Sequence, residues 1–96
     1  MKVIGYWKYE TKDTDAVIEK TLKSDEVRKK EPKKLPKTIF NPHFLMGGTR
    51  GFTIFEADND DQLAELVMQY YPVLLWEFVP IYENTKMITL YQKTKK

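Results

Sequence analysis

The 96-residue sequence has no cysteine and a single histidine, His43. Without thiols there is no disulfide framework, no cysteine nucleophile and no thiolate metal site. A lone histidine without ligand-spaced carboxylates builds no metal centre, so neither metal nor other cofactor is expected. The opening MKVIGYWKYE holds no apolar stretch of signal-peptide or membrane-spanning length, and no membrane partner is expected. Internal repeats and low-complexity segments are missing too. Charge of one sign is not in excess: 16 basic residues face 14 acidic ones, for a net charge of +2. That balance describes a solvated surface rather than an attractor for nucleic acid. A cysteine-free chain suits a reducing cytoplasm. Residues 1–96 are read as one domain.

Aromatic residues are what the sequence has in quantity, 14% of the chain. Val3 to Tyr9 is β-branched and aromatic and predicts a first strand. Asp13 or Thr14 caps a helix carrying Val17, Ile18, Thr21 and Leu22 at helical spacing, ending between Ser24 and Glu31. Pro32, Pro36 and Pro42 punctuate a lysine-rich connection, where no regular element is expected. Phe44 to Met46 is read as a short second strand, Gly47 to Gly51 as a turn, and Phe52 to Ala57 as a third strand. Asp58 to Asp61 opens a second helix, whose stripe is Leu63, Ala64, Leu66, Val67, Tyr70 and Tyr71. Pro72 stops it. Leu74 to Tyr82 is a fourth strand, placed at a sheet edge because Pro80 has no N–H to donate. Asn84 or Thr85 opens a short C-terminal helix through Met87, Ile88, Leu90 and Tyr91, with a fifth strand as the alternative.

The resulting class is α+β, a ferredoxin-like βαββαβ antiparallel sheet with both helices on one face. A sheet covered on one side alternates apolar and polar residues. These strands do not. Leu74, Trp76, Phe78 and Tyr82 oppose Leu75, Val79 and Ile81; Phe52 and Ile54 oppose Phe55 and Ala57; Val3, Trp7 and Tyr9 oppose Ile4 and Tyr6. A second copy of the chain is the simplest cover for the face without helices, so a homodimer is expected. The alternative cover is the C-terminal segment folded back.

Three stretches carry a resemblance: Tyr6-Trp7-Lys8, Gly48-x-x-Gly51-Phe52 leading to Glu56-Ala57-Asp58, and Leu75-x-x-x-x-Pro80-Ile81. With them the chain resembles the dimeric α/β barrel superfamily over nearly its whole length, and within it a small-protein branch known only as a domain of unknown function. The resemblance implies two ferredoxin-like sheets paired into one barrel. Members of the superfamily include cofactor-free monooxygenases, haem-degrading enzymes and muconolactone-type isomerases. The haem-degrading members carry an asparagine on the first strand and a histidine on the second helix; neither is present here.

Glu56 and Glu77 are carboxylates among apolar neighbours, a costly arrangement unless paired, and with His43 they are the catalytic candidates. Trp7, Tyr9 and Trp76 are the ring-bearing candidates for lining a barrel between the two sheets, with Glu56 and Glu77 among them and His43 and Arg50 near its mouth. The expected ligand is a small, largely apolar or aromatic molecule. Whether the chain is an enzyme stays open. Its rival is a non-catalytic module, either an RNA binder or a dimer with a solid core. Arg50-Gly51-Phe52 opens like an RNA-recognition strand, but Thr53, Ile54 and Ala57 depart from that signature, so nucleic acid is not the expected partner.

Overall fold

Residues 1–95 are described by a computed structural model. Strand β1 (Lys2–Lys8) buries Val3, Gly5 and Trp7 and turns Lys2, Ile4, Tyr6 and Lys8 to the opposite side. After a short 3₁₀ turn (Thr11–Asp13), helix α1 runs over Thr14–Lys30. Strands β2 (Lys37–Phe44) and β3 (Arg50–Glu56) follow, then α2 (Asp60–Tyr70), β4 (Leu75–Pro80) and α3 (Asn84–Thr94). The four strands form one antiparallel sheet in the order β2-β3-β1-β4. The α+β class and the edge position of β4 agree with the sequence. Pro80 sits at the end of that edge strand, where a missing N–H costs no interior ladder bond.

The second strand is a correction. It lies at Lys37–Phe44, within the proline-dotted stretch read as irregular, and not at Phe44 to Met46. The register shows why. Phe40 faces Ile54 and His43 faces Phe52, so three steps along β2 match two along β3. Asn41-Pro42 occupies that bulge, and β2 is the other edge of the sheet, so the proline interrupts no central ladder. Gly47, at φ +91°, supplies the left-handed residue of the following turn.

Helix α2 starts where the acidic run suggested. Asn59 caps it, its side-chain oxygen accepting the Gln62 N–H at 3.0 Å. The buried positions are Gln62, Leu66 and Tyr70, whereas Tyr71, counted in the stripe, lies beyond the helix end and is exposed. Gln62 is buried because its amide is fully used: it accepts from the Asp58 N–H at 2.7 Å and donates to the Lys33 carbonyl at 2.8 Å. That second bond ties α2 to the connection before β2, where Leu35 and Pro36 are buried. The core of Val3, Trp7, Leu35, Phe55, Leu66, Tyr70 and Leu74 lies between the sheet and the α1/α2 layer. Truncating one such leucine to alanine costs about 2–5 kcal/mol.

Helix α3 covers neither face. Met87, Ile88, Leu90 and Tyr91 all remain exposed, and none of the described residues of α3 is buried. The radius of gyration of 15.8 Å reflects this projection; a compact chain of this length has about 12.5 Å. The C-terminal segment therefore leaves the helix-free face of the sheet open.

The Lys2 ammonium bonds the Glu83 carboxylate at the start of α3. That hydrogen bond, with the attraction of Lys2 and Lys86, holds Glu83 below the usual carboxylate range. The same bond raises Lys2 above the usual lysine value. The pair's contribution is therefore present above the ordinary glutamate pKa and lost as pH falls through the lowered value. It persists below the ordinary lysine pKa and is lost as pH rises through the raised one. Carboxylate titration by NMR should find Glu83 depressed in the wild type and moved back toward the ordinary range by Lys2→Met, with Lys86 still holding it somewhat down; an unchanged Glu83 would contradict the pairing.

Candidate functional site: an aromatic cavity under helix α1

The helix-facing side of the sheet is not filled evenly. At the α1/α2 seam Ser24 is buried and Tyr70 donates its hydroxyl to Thr21 Oγ1 at 3.1 Å. Over β2 the fit fails. Ile18 and Leu22 of α1 are 54% and 62% exposed, and Phe44 of β2 is 62% exposed, so these apolar side chains do not close on one another. Between them lies a cavity of about 610 Å³, within the size range of small-molecule sites.

Trp7, Thr53, Phe55 and Trp76 of the sheet form its floor, α1 from Val17 to Arg28 its roof, and Leu66, Tyr70 and Leu74 one end. Thr38, Asn41, Pro42 and Phe44 bound the side of β2. Trp7 stacks on Tyr9 with ring centres 6.3 Å apart and meets the edge of Phe44 at 5.0 Å. Trp76 stacks on Phe78 at 5.4 Å and meets Tyr70 edge-on at 5.7 Å. Such contacts hold flat surfaces rigidly, which suits an aromatic or planar apolar guest.

Most polar groups in the wall already have partners. The Trp7 indole N–H donates to Thr53 Oγ1 at 3.2 Å, and the Thr21 hydroxyl donates to the Val17 carbonyl at 2.9 Å. Arg28 Nη1 meets Asp25 at 3.5 Å. Two buried donors have no partner among the described residues: Trp76 Nε1–H and Arg28 Nε–H.

The structure divides the residues singled out in the sequence. Trp7, Tyr9 and Trp76 share the cavity, but on the helix side of the sheet, so the expectation that they line a space between two sheets is corrected. The physical reason is the pleat. With Val3, Gly5 and Trp7 facing the helices, every second residue of β1 follows them, and cross-strand pairing carries the same face to Trp76. His43, Glu56, Glu77 and Arg50 do not join them. His43 and Glu77 are exposed on strands, and Arg50 is exposed where β3 begins. His43 Nδ1 lies 2.6 Å from the Asn41 carbonyl, so that nitrogen carries the proton and donates. Glu56 sits 3.0 Å from the Met1 amino group. No cluster of three or more metal-ligating side chains occurs among the described residues.

The model of a family described as a domain of unknown function, DUF3303, matches residues 1–95. The chain belongs to this family. No curated protein matches it. DUF3303 membership thus spans essentially the whole domain and assigns it no chemistry, so the geometry has to carry the functional reading.

Sequence reasoning missed the contribution of Thr21, Arg28, Asn41 and Phe44 to this DUF3303 cavity. The available signal was the stripe Val17, Ile18, Thr21 and Leu22, which is too apolar for a helix edge that ends up half-exposed. It also missed the rings that gather around Phe52 on the open face. Phe40 stacks on it at 5.8 Å, with His43 at 6.1 Å and Tyr6 at 6.4 Å. Those neighbours come from the two strands that flank β3, and local sequence does not show them.

Gly51 makes room for the cavity floor. A Cβ there would stand 2.2 Å from the His43 carbonyl oxygen and 2.5 Å from the Trp7 ring, backbone and indole together. Gly51→Ala should therefore cost about 1–3 kcal/mol by overpacking and displace Trp7. Urea unfolding and the Trp7 indole resonance measure both effects; an unperturbed variant would show that the close approach does not exist.

Proposed function

We propose that the protein is a homodimeric, ferredoxin-like dimeric α/β barrel protein that binds a small, largely apolar or aromatic molecule in the cavity beneath α1. The observation that carries the binding reading is the aromatic-walled space of about 610 Å³ held open between α1 and the sheet. The element order and the strand order β2-β3-β1-β4 support the fold assignment. A binding role is favoured over catalysis because none of the catalytic candidates, His43, Glu56 and Glu77, lines the cavity. Among the described residues the one charged pair in its wall, Asp25 and Arg28, lies on the roof.

The homodimer reading rests on the opposite face. Tyr6, Phe40, Leu75 and Val79 are 39%, 42%, 60% and 39% exposed there, forming a broad apolar surface beside an uncovered α3. The same rings are what an RNA-stacking surface would use. Dimerisation and RNA binding compete for that face, and the near-neutral charge favours the dimer. Among the described residues no helix is long and apolar enough to cross a membrane. A cytoplasmic location fits the cysteine-free composition.

Light scattering should give twice the 11.4 kDa chain mass, and Val79→Glu should halve it while the fold persists. A wild-type monomer would refute the dimer. For the cavity, 2-methylnaphthalene serves as the probe. Its NMR titration should shift the Trp7 and Trp76 indoles and the methyls of Val17 and Leu66. Shifts confined to Tyr6, Phe52 and Val79 on the open face would refute the binding reading.

A further inference from the structure

Helix α3 has an apolar side that its own chain leaves uncovered. Met87, Ile88, Leu90 and Tyr91 fall within about 160° of arc at 3.6 residues per turn. All four are about half-exposed, and no residue of α3 is buried. A helix shorter than about 12–15 residues is marginal in water unless its apolar side is packed. α3 has 11 residues. A surface that fits it begins at its own root. On the open face of the sheet a groove of about 280 Å³ is walled by Ile39, Phe40, Ile54, Ile81 and Tyr82, with Lys2 and Glu83 completing it. α3 does not lie in this groove. The Ile81 N–H donates to the Lys2 carbonyl at 3.0 Å, and the Glu83 carboxylate takes the Lys2 ammonium. To reach its own groove α3 would have to reverse within Ile81 to Glu83, three residues whose first and last are both bonded to Lys2.

Charge selects where such a helix is received. α3 carries Lys86 and Lys93 and no carboxylate. At one end of the open face Lys8 and Arg50 stand side by side, with no carboxylate partner among the described residues. At the groove end Lys2 is matched by Glu83, and Glu56 by the Met1 amino group. Glu77, across from Tyr6, has no ion partner among the described residues. A helix bearing only cations is repelled at the Lys8 end and received over the groove and Glu77. Resting on the homodimer reading above, we propose that two copies of the chain exchange their C-terminal helices. Each α3 lays Met87, Ile88, Leu90 and Tyr91 against Ile39, Phe40 and Ile54 in the groove of the other copy. The contact is isologous, so a single two-fold axis covers both helices and both grooves. A second copy is the occupant because helix and groove are complementary surfaces of one chain.

Isotope-filtered NMR on dimers made from equal parts of labelled and unlabelled full-length chain reads only contacts between copies. The methyls of Ile88 and Leu90 should contact the Phe40 ring and the Ile54 methyls of the other copy. Contacts between copies that come from the sheets alone would leave the homodimer standing and overturn the exchange. So would an α3 that meets only the other α3, or one that meets Phe40 of its own chain. A wild-type monomer would end both readings. Sedimentation supplies the second readout. Ile88→Glu, on the apolar side of α3, should weaken dimerisation at least about tenfold, because it buries a charge in an apolar contact. Thr89→Glu, on the opposite side of the helix, should change it less than about threefold. Since α3 buries nothing in its own chain, both variants should keep the Trp7 and Trp76 indole resonances of the folded domain. Equal effects of the two substitutions on the dimer would overturn the exchange.

Discussion

A four-stranded sheet has two faces, and two helices of 17 and 11 residues cover only one of them. Everything else in this molecule follows from that shortage of cover. β1, β3 and β4 are apolar on both sides, so their pleat sends Trp7, Phe55 and Trp76 under the helices and Tyr6, Phe52 and Val79 to the other side. The covered side becomes the core. The uncovered side becomes the surface that a second copy of the chain is proposed to occupy, and α3 stands away from it.

The cover is incomplete even on the helix side. α1 is drawn toward α2 by the buried Ser24 and by the Tyr70–Thr21 bond, while Gln62 pins the connection before β2 to the start of α2. These bonds tie α1, α2 and the connection before β2 to one another. They leave the space between α1 and the sheet, bounded on one side by the bulged edge strand β2, without enough side chain to fill it. Rigid aromatic rings then line the gap instead of collapsing into it, because each is held edge-on or stacked by a neighbour. A cavity arising this way belongs to a single chain, so the proposed ligand site and the proposed dimer face lie on opposite sides of the sheet and are independently testable.

Much of this was legible in the sequence by itself. β-branched and aromatic content marked β1, β3 and β4, the Asp58–Asp61 run marked the start of α2, Pro80 marked an edge, and the two-sided apolar strands marked a face in need of cover. These are local signals, set by pleat period, capping chemistry and proline's missing donor, and they survive without knowledge of the rest of the chain. Tertiary structure alone decided that Lys37–Phe44 is a strand. Its pairing with β3 outweighs its one proline, Pro42, once a bulge absorbs it. Tertiary structure also decided which side of the sheet the tryptophans serve, since residue alternation defines two faces but does not say which one meets the helices. The separation of His43, Glu56 and Glu77 from the rings of the cavity has the same origin. Side chains two strands apart become neighbours or strangers according to register, and register is a property of the assembled sheet.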